Sequence, residues 1–223
     1  MGEQVETSVP AAFFRLEGVL SERPAQVAAA WLASNAQHLG QRALRLGAVA
    51  LSAPFVLGLG DAGVGQRVAW SALRGMSSDR IAVLGEEYAQ EHLVANLRPV
   101  GLDLLQRARR DRLRIVLLSD LVEEVAGPVA NAVGADHLVC NQLEYRNGRA
   151  TGRLEGTLAT RFGGQLLRGF ASEHGLDLGR SRAFGATTHD QVMPSTVQLP
   201  CAVYPDRGLR RVAHDLDWPV VEG

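Results

Sequence analysis

A chain of 223 residues, 46% of them hydrophobic, is long enough for one large domain or for a core carrying an insert, and it can bury most of its apolar surface without disulfides. A formal net charge of −1 gives no case for a nucleic-acid partner or an acidic membrane. All 23 basic residues are arginine, so no reaction within this chain can use a lysine.

The N-terminal MGEQVETSVP carries acids and no apolar run, unlike a secretory signal, and Val5 and Glu6 do not continue Gly2 as a myristoylation signal would. Ala11 to Leu16 (AAFFRL) predicts a short buried strand, closed by an acid-bearing turn at Glu17 and Gly18. From Ser21 to about Val94 the pattern is helical. Pro24 opens the first run, a second follows Gln41, VGQRVAWSALRGM is a third, and Ser77 or Ser78 is placed to cap a fourth. Leu46 to Gly60 is uncharged over 15 residues, short of the roughly 20 a membrane span needs. Arg45 and Asp61 close it and Pro54 interrupts it, so it reads as a buried helix or helical hairpin rather than a membrane-touching surface.

After Pro99 the style changes. VGLDLLQRARRD is an amphipathic helix, RLRIVLLSD a buried strand, LVEEVAGPVANAVG a helix and HLVCNQLEYR a strand. Asn147-Gly148 marks a hairpin turn with RATGRLEG as the return strand. The helix GGQLLRGFASEHG, the strands RAFGA and CAVYPD, the helix RGLRRVAHDL and a last short strand in WPVV follow. Strands alternating with helices imply an α/β fold, a Rossmann-like parallel sheet with an all-helical cap inserted after the first strand. The expected division is residues 1–20 and 95–223 for the core and 21–94 for the cap. Cys140 and Cys201 show no metal-ligand or CxxC spacing and read as small buried residues in a reducing, cytoplasmic setting.

The order and spacing of GADHLVCNQLEYRNGRATGRLEG, FASEHGLDLGRSRAFG and YPDRGLRRVAHDLDWPVV carry a resemblance over about Ala11 to Val221. The chain resembles the haloacid dehalogenase superfamily, in its phosphoserine-phosphatase-like branch with a helical cap. The resemblance implies a nucleophilic aspartate that becomes a phosphoaspartate, an acid/base aspartate two residues on, a phosphate-holding Ser or Thr after the second core strand, a charge-neutralising lysine, and late acids on magnesium. Matched position by position, the nucleophile is Arg15, which is no nucleophile. The acid/base position is Glu17, and Val19 stands for the usual threonine. Ser119 keeps the phosphate-holding position. Gly163 falls nearest the lysine slot, with Arg161 close by. The first metal acid is Ala186, while Asp190 remains.

These positions imply a catalytically degenerate protein, a pseudophosphatase with no tight magnesium site; Glu17 and Asp190 are weak metal candidates. Arg15, Gly18, Ser119 and Asp190 are the candidate phosphate or anion contacts. Arg15 either pairs with Glu17 or Asp190 and offers its fork to an anion, or plugs a dead pocket. Such a protein acts by binding a phosphorylated ligand, or a protein partner through the cap face at Leu46 to Gly60. The alternative is an active magnesium-dependent phosphomonoester phosphatase with Glu17 or Asp120 as nucleophile, although Asp120 would need its side chain redirected into the pocket. A structural subunit with an empty pocket is a third reading. His189 and Glu144 read as surface residues, Trp31 and Trp70 as cap core.

Overall fold

The computed structural model describes residues 8–35, 39–56, 61–155, 164–190 and 193–222. Strand β1 (Val9–Arg15) lies inside a parallel sheet, with Ala12 and Phe14 in one buried cluster and Ala11 and Phe13 in another. A strand covered on both faces reads as a continuous apolar run, which is why AAFF contains no polar residue. Its neighbours are β2 (Arg114–Val122) and β6 (Leu176–Gly185). With β3 (His137–Asn141), β7 (Leu199–Val203) and β8 (Val220–Val221) the order is β3-β2-β1-β6-β7-β8, every pair parallel. The chain steps from β1 to β2 and β3 on one side, then crosses back to β6. That reversal leaves a crevice at the carboxyl ends of β1, β2 and β6.

A register shift between Pro10 and Ala12 takes the Ala11 N–H out of the ladder. The buried Ser181 hydroxyl accepts it at 2.8 Å and donates its own proton to the Asp177 carbonyl at 2.5 Å, so the irregularity leaves no unpaired donor.

Between β1 and β2 the described residues form helices α1 (Ala25–Ser34), α2 (Leu39–Ala50), α3 (Ala53–Val56), α4 (Ala62–Trp70), α5 (Ser78–Tyr88) and α6 (Pro99–Arg110). Pro24 precedes α1, and the Asp61 side chain caps α4 by accepting the Val64 N–H at 2.9 Å. Ser77 sits at the cap position of α5 but makes no side-chain cap, unlike the sequence expectation. Its backbone bridges Arg149, and the Ser78 N–H donates to the Gly148 carbonyl. The hairpin β4 (Leu143–Arg146) and β5 (Arg149–Leu154) docks there, turning through Asn147 and Gly148 at φ +50° and +68°. HLVCNQLEYR is therefore two strands. β3 belongs to the sheet, and β4 leaves it to pair with β5.

The helical segment does not fold apart from the sheet. Phe14 and Leu16 share one buried cluster with Leu32, Trp70, Ile81, and with Val125 and Val129 of α7 (Glu123–Ala132). The opposite face is covered by α8 (Gly164–Glu173), through Leu167 and Ala171. Helix α9 (Arg207–Asp215) packs Leu209 and Ala213 on Ala202. Cys140 and Cys201 are buried. Of the uncharged stretch from Leu46 to Gly60, Val49 is buried and Leu46 and Ala48 half-buried, but Leu51 is 70% exposed. Residues 57–60 lie outside the described ones. The expected burial holds for only part of the stretch: α2 buries one face, and the turn that follows it leaves Leu51 in solvent. Among the described residues no helix is long and apolar enough to cross a membrane.

Candidate functional site: a self-paired cleft

Three segments meet at the carboxyl ends of β1, β2 and β6. The first carries Arg15 as the last residue of β1, followed by a tight turn. Gly18 in that turn has φ +86°, and a Cβ there would stand 2.4 Å from the Ala186 Cβ. Only glycine lets the two loops touch. Its N–H donates to the Ser21 carbonyl at 2.7 Å, and its carbonyl accepts from Arg98 Nη1 at 2.7 Å. Gly18 is thus not the anion contact the sequence suggested: its one N–H is committed to closing the turn.

The second segment is the end of β2. The Ser119 hydroxyl, fully buried, donates to Glu17 Oε1 at 2.7 Å. The Asp120 N–H donates to the same oxygen at 3.0 Å, and the Leu121 N–H donates to Ser119 Oγ at 3.1 Å. The third segment follows β6. Asp190 Oδ2 accepts from the N–H groups of Ala186 and Thr187 at 3.0 and 2.9 Å and from the Thr187 hydroxyl at 3.1 Å. Oδ1 remains, and it faces Arg15 Nε at 2.9 Å.

Arg15 ties the segments together. Its Nη2 stands 2.8 Å from Asp120 Oδ2 and 3.3 Å from Glu17 Oε2, and Nη1 lies 3.4 Å from Asp120 Oδ1. The side chain is 11% exposed. Burial works against its charge, but Asp120, Asp190 and Glu17 together outweigh burial and hold the guanidinium protonated above arginine's ordinary range. Glu17 moves the other way. Burial dominates, Asp120 adds repulsion, and the help from Arg15 and Ser119 does not compensate, so its carboxyl is pushed up to about 7.

Two side chains of α4 and β3 close the arrangement from the helical side. Trp70 Nε1–H donates to the Asp120 carbonyl at 3.2 Å. Asn141 Nδ2 donates to that carbonyl at 2.5 Å and to Gln66 Oε1 at 3.0 Å. Trp70 is buried, as expected of cap core, and half-buried Trp31 packs against the same cluster. The sequence offered no sign of the indole N–H contact.

The structure therefore joins Arg15, Glu17, Ser119 and Asp190, and adds Asp120 as Arg15's bidentate partner. The register of the sheet explains Asp120. Leu118 lies opposite Arg15 in the parallel pair, and the residue two further on extends from the same side of β2. Ala186 lines the loop through its backbone N–H. His189 is exposed and outside the cluster. Glu144, expected as solvated, is half-buried, and its carboxylate accepts from the Thr151 hydroxyl at 2.8 Å and pairs with Arg146. Arg161 and Gly163 lie outside the described residues.

A divalent cation, as the resembled superfamily uses, does not fit these residues. The guanidinium already stands within ion-pair distance of all three carboxylates, and Asp190 Oδ2 is saturated by three donors. Among the described residues no group of three or more His, Cys, Asp or Glu side chains is placed to hold a metal. Glu17 and Asp190, the weak metal candidates, are turned to an internal cation instead.

Residues 19–193 match the family model of haloacid dehalogenase-like hydrolases. A probable phosphatase of Mycobacterium tuberculosis is 32% identical over 107 residues, which are 48% of this chain and 37% of that protein. The matches to this and three other curated relatives cover between 37% and 54% of their lengths. A protein of unknown function from Bordetella pertussis Tohama I superposes with a TM-score of 0.81 at 24% identity, over 96% of this chain and 99% of that one. A phosphoserine phosphatase, solved as a phospho-aspartyl intermediate analogue, superposes with a TM-score of 0.66 at 15% identity, over 92% and 90%. At these identities the two structures establish the fold.

Proposed function

We propose that this chain, which belongs to the haloacid dehalogenase-like hydrolase family, is a catalytically silent member that acts by binding rather than by phosphoryl transfer. One observation carries the reading. The guanidinium of Arg15, at the position the family gives to its nucleophile, is ion-paired to Glu17, Asp120 and Asp190 at once. An arginine cannot attack phosphorus, and here it occupies the space where a cation would have to sit. Glu17 and Asp120 both face Arg15, and Glu17 also accepts a hydrogen bond from the Ser119 hydroxyl, so each carboxylate is turned to groups of the chain itself.

In this reading a protein partner is favoured over a phosphorylated ligand, because Arg15 is more than compensated by three acids and attracts no further anion. The candidate partner surface is the stretch from Leu46 to Gly60, in whose described part Leu51 is exposed in the turn between α2 and α3. In this reading the described residues within 1–20 and 95–223 belong to the core and those within 21–94 to the cap that carries this surface. No magnesium is required. Two buried cysteines without metal-ligand spacing suit a cytoplasmic, reducing setting.

The test is phosphate release from a panel of phosphomonoesters, phosphoserine included, with and without magnesium. The expected result is no release above the blank and no shift of the melting temperature by magnesium. Release that disappears with chelator, and again in Asp120→Asn or Glu17→Gln, would make the protein a working phosphatase, as the names of its relatives have it.

A further inference from the structure

Far from the cleft, four arginines gather where the helical segment meets the hairpin. Arg45 Nη2 of α2 donates to the Arg74 carbonyl at 3.5 Å, and Arg149 Nη1 of β5 donates to the Gly75 carbonyl at 2.9 Å. A Cβ on Gly152 of β5 would stand 3.0 Å from the Arg74 Cβ, so Arg74 packs on the hairpin. Arg80 Nη2 of α5 donates to the Asn35 carbonyl at 2.6 Å. Burial and the charge of Arg80 together hold the Arg45 guanidinium below arginine's ordinary range. Among the described residues no carboxylate stands within ion-pair distance of any of the four, whereas Arg107, Arg114 and Arg180 each hold one. Asp79, next to Arg80 in sequence, accepts the Ser78 hydroxyl at 3.5 Å instead.

The chain as a whole is near neutral, so this is a local concentration of charge, and like charges held together cost stability. A local rule broken without a gain to the fold points to function. Apolar side chains accompany the charges. Leu44, Leu51 and Val83, at 78%, 70% and 67% exposure, are the most exposed large hydrophobic residues among the described ones. Leu44 adjoins Arg45 on α2, and Val83 lies three residues from Arg80 on α5, on the same side of that helix. We infer that α2, α5 and the hairpin present a docking surface for an acidic segment of a partner protein, whose carboxylates pair with Arg45, Arg74, Arg80 and Arg149 and whose apolar side chains cover the exposed leucines and Val83. The inference deepens the reading that this chain acts through a protein partner, and rests on it. Charge complementarity selects the occupant. Three of the guanidinium groups are anchored on backbone carbonyls, which sets them at fixed spacings, as recognition of discrete carboxylates requires. The seven residues include no aromatic ring on which the bases of a single-stranded nucleic acid could stack. They are also spread over two helices, a turn and a hairpin strand rather than along the one face with which an amphipathic helix lies on a membrane.

The experiment measures fluorescence anisotropy of a fluorescein-labelled synthetic peptide of repeated Glu-Glu-Leu units, with its Gln-Gln-Leu counterpart as control. Both are titrated with the wild type, Arg45→Ala/Arg80→Ala, Arg149→Gln and, on α9, Arg210→Ala. The expected result is saturable binding of the acidic peptide by the wild type, at least about tenfold weaker for the glutamine peptide and for the double variant, and about threefold weaker for Arg149→Gln. Arg210→Ala binds as the wild type does, and added salt weakens binding throughout. Absence of binding by a wild type that melts cooperatively overturns the inference. So does a double variant that binds as tightly as the wild type, or a loss in Arg210→Ala as large as in the double variant. Tighter binding of a labelled single-stranded oligonucleotide, or of vesicles containing phosphatidylserine, than of the acidic peptide also overturns it and gives the surface to another class of partner. If the double variant does not fold, Arg149→Gln decides alone, and unchanged affinity there counts against the inference. Phosphate release in the earlier assay would sink the silent-cleft reading while peptide binding stood, and lack of peptide binding would leave that reading intact, so the two failures are distinguishable.

Discussion

Two arginines stand at opposite ends of neighbouring strands, and both pair with aspartate. Arg15 ends β1; Arg114 begins β2 and holds Asp136 Oδ1 at 2.8 Å. The distances are alike, but the surroundings are not. The Arg114 side chain is 57% exposed and has one acid; the Arg15 side chain is 11% exposed and has three. Water screens the first pair, and either partner can be lost and resolvated. In the second, Arg15, Glu17 and Asp190 are almost dry and only Asp120 keeps a quarter of its side chain in solvent, so removing the cation strands buried acids. Geometry on its own therefore does not rank the two pairs. Burial and the number of shared partners do.

The sharpest way to break the contrast is Arg15→Leu. It leaves Glu17, Asp120 and Asp190 buried without a cation, and urea denaturation at pH 8 is expected to show a loss of about 3–5 kcal/mol. Lowering the pH is expected to restore part of it as the carboxyls take up protons.

Glu17→Gln tests the electrostatic conflict inside the cluster. Glu17 holds its proton up to about 7 in the folded state against an ordinary value of 4.5. Between those values the native state binds a proton that the unfolded chain has released, so raising the pH through that window lowers stability. The contribution levels off below the window and its loss is complete above it. Relative to Glu17→Gln, the wild type is expected to lose up to about 3 kcal/mol between pH 4.5 and pH 8, read from denaturation midpoints.

Trp70→Phe keeps most of the buried ring and removes only the N–H that reaches the Asp120 carbonyl. A cost of about 1 kcal/mol is expected, since Asn141 still donates to that carbonyl. Arg114→Ala is the control. It is expected to cost under about 1 kcal/mol, and less still in high salt, because Asp136 keeps the Ile115 N–H at 2.7 Å. An Arg114 effect as large as that of Arg15 would defeat the argument from burial.

Much of this was legible before any coordinates. The doubly covered run AAFF, the hairpin signal at Asn147-Gly148 and the alternation of strands and helices after Pro99 are local patterns, and local patterns survive in one dimension. That Arg15 is no nucleophile and that the chain has no lysine to offer was equally plain, because both follow from residue identity alone. The split of HLVCNQLEYR was not legible, because the residues after Asn141 extend just as well in either sheet and only the docking of the hairpin on Gly75, Met76 and Ser77 decides between them.

The site divides along the same line. Residue identity is enough to establish that Arg15 cannot be a nucleophile, and the alternation of strands and helices that Arg15, Ser119 and Asp190 fall on segments the sheet brings to one edge. It does not say that Asp120 turns inward, that the Gly18 N–H is spent on its own turn, or that Glu17 takes the donors of the β2 end for itself. The first and the last of these depend on distances of a few tenths of an ångström between segments more than 100 residues apart. They also depend on a balance of desolvation against ion pairing that exists only once water has been excluded.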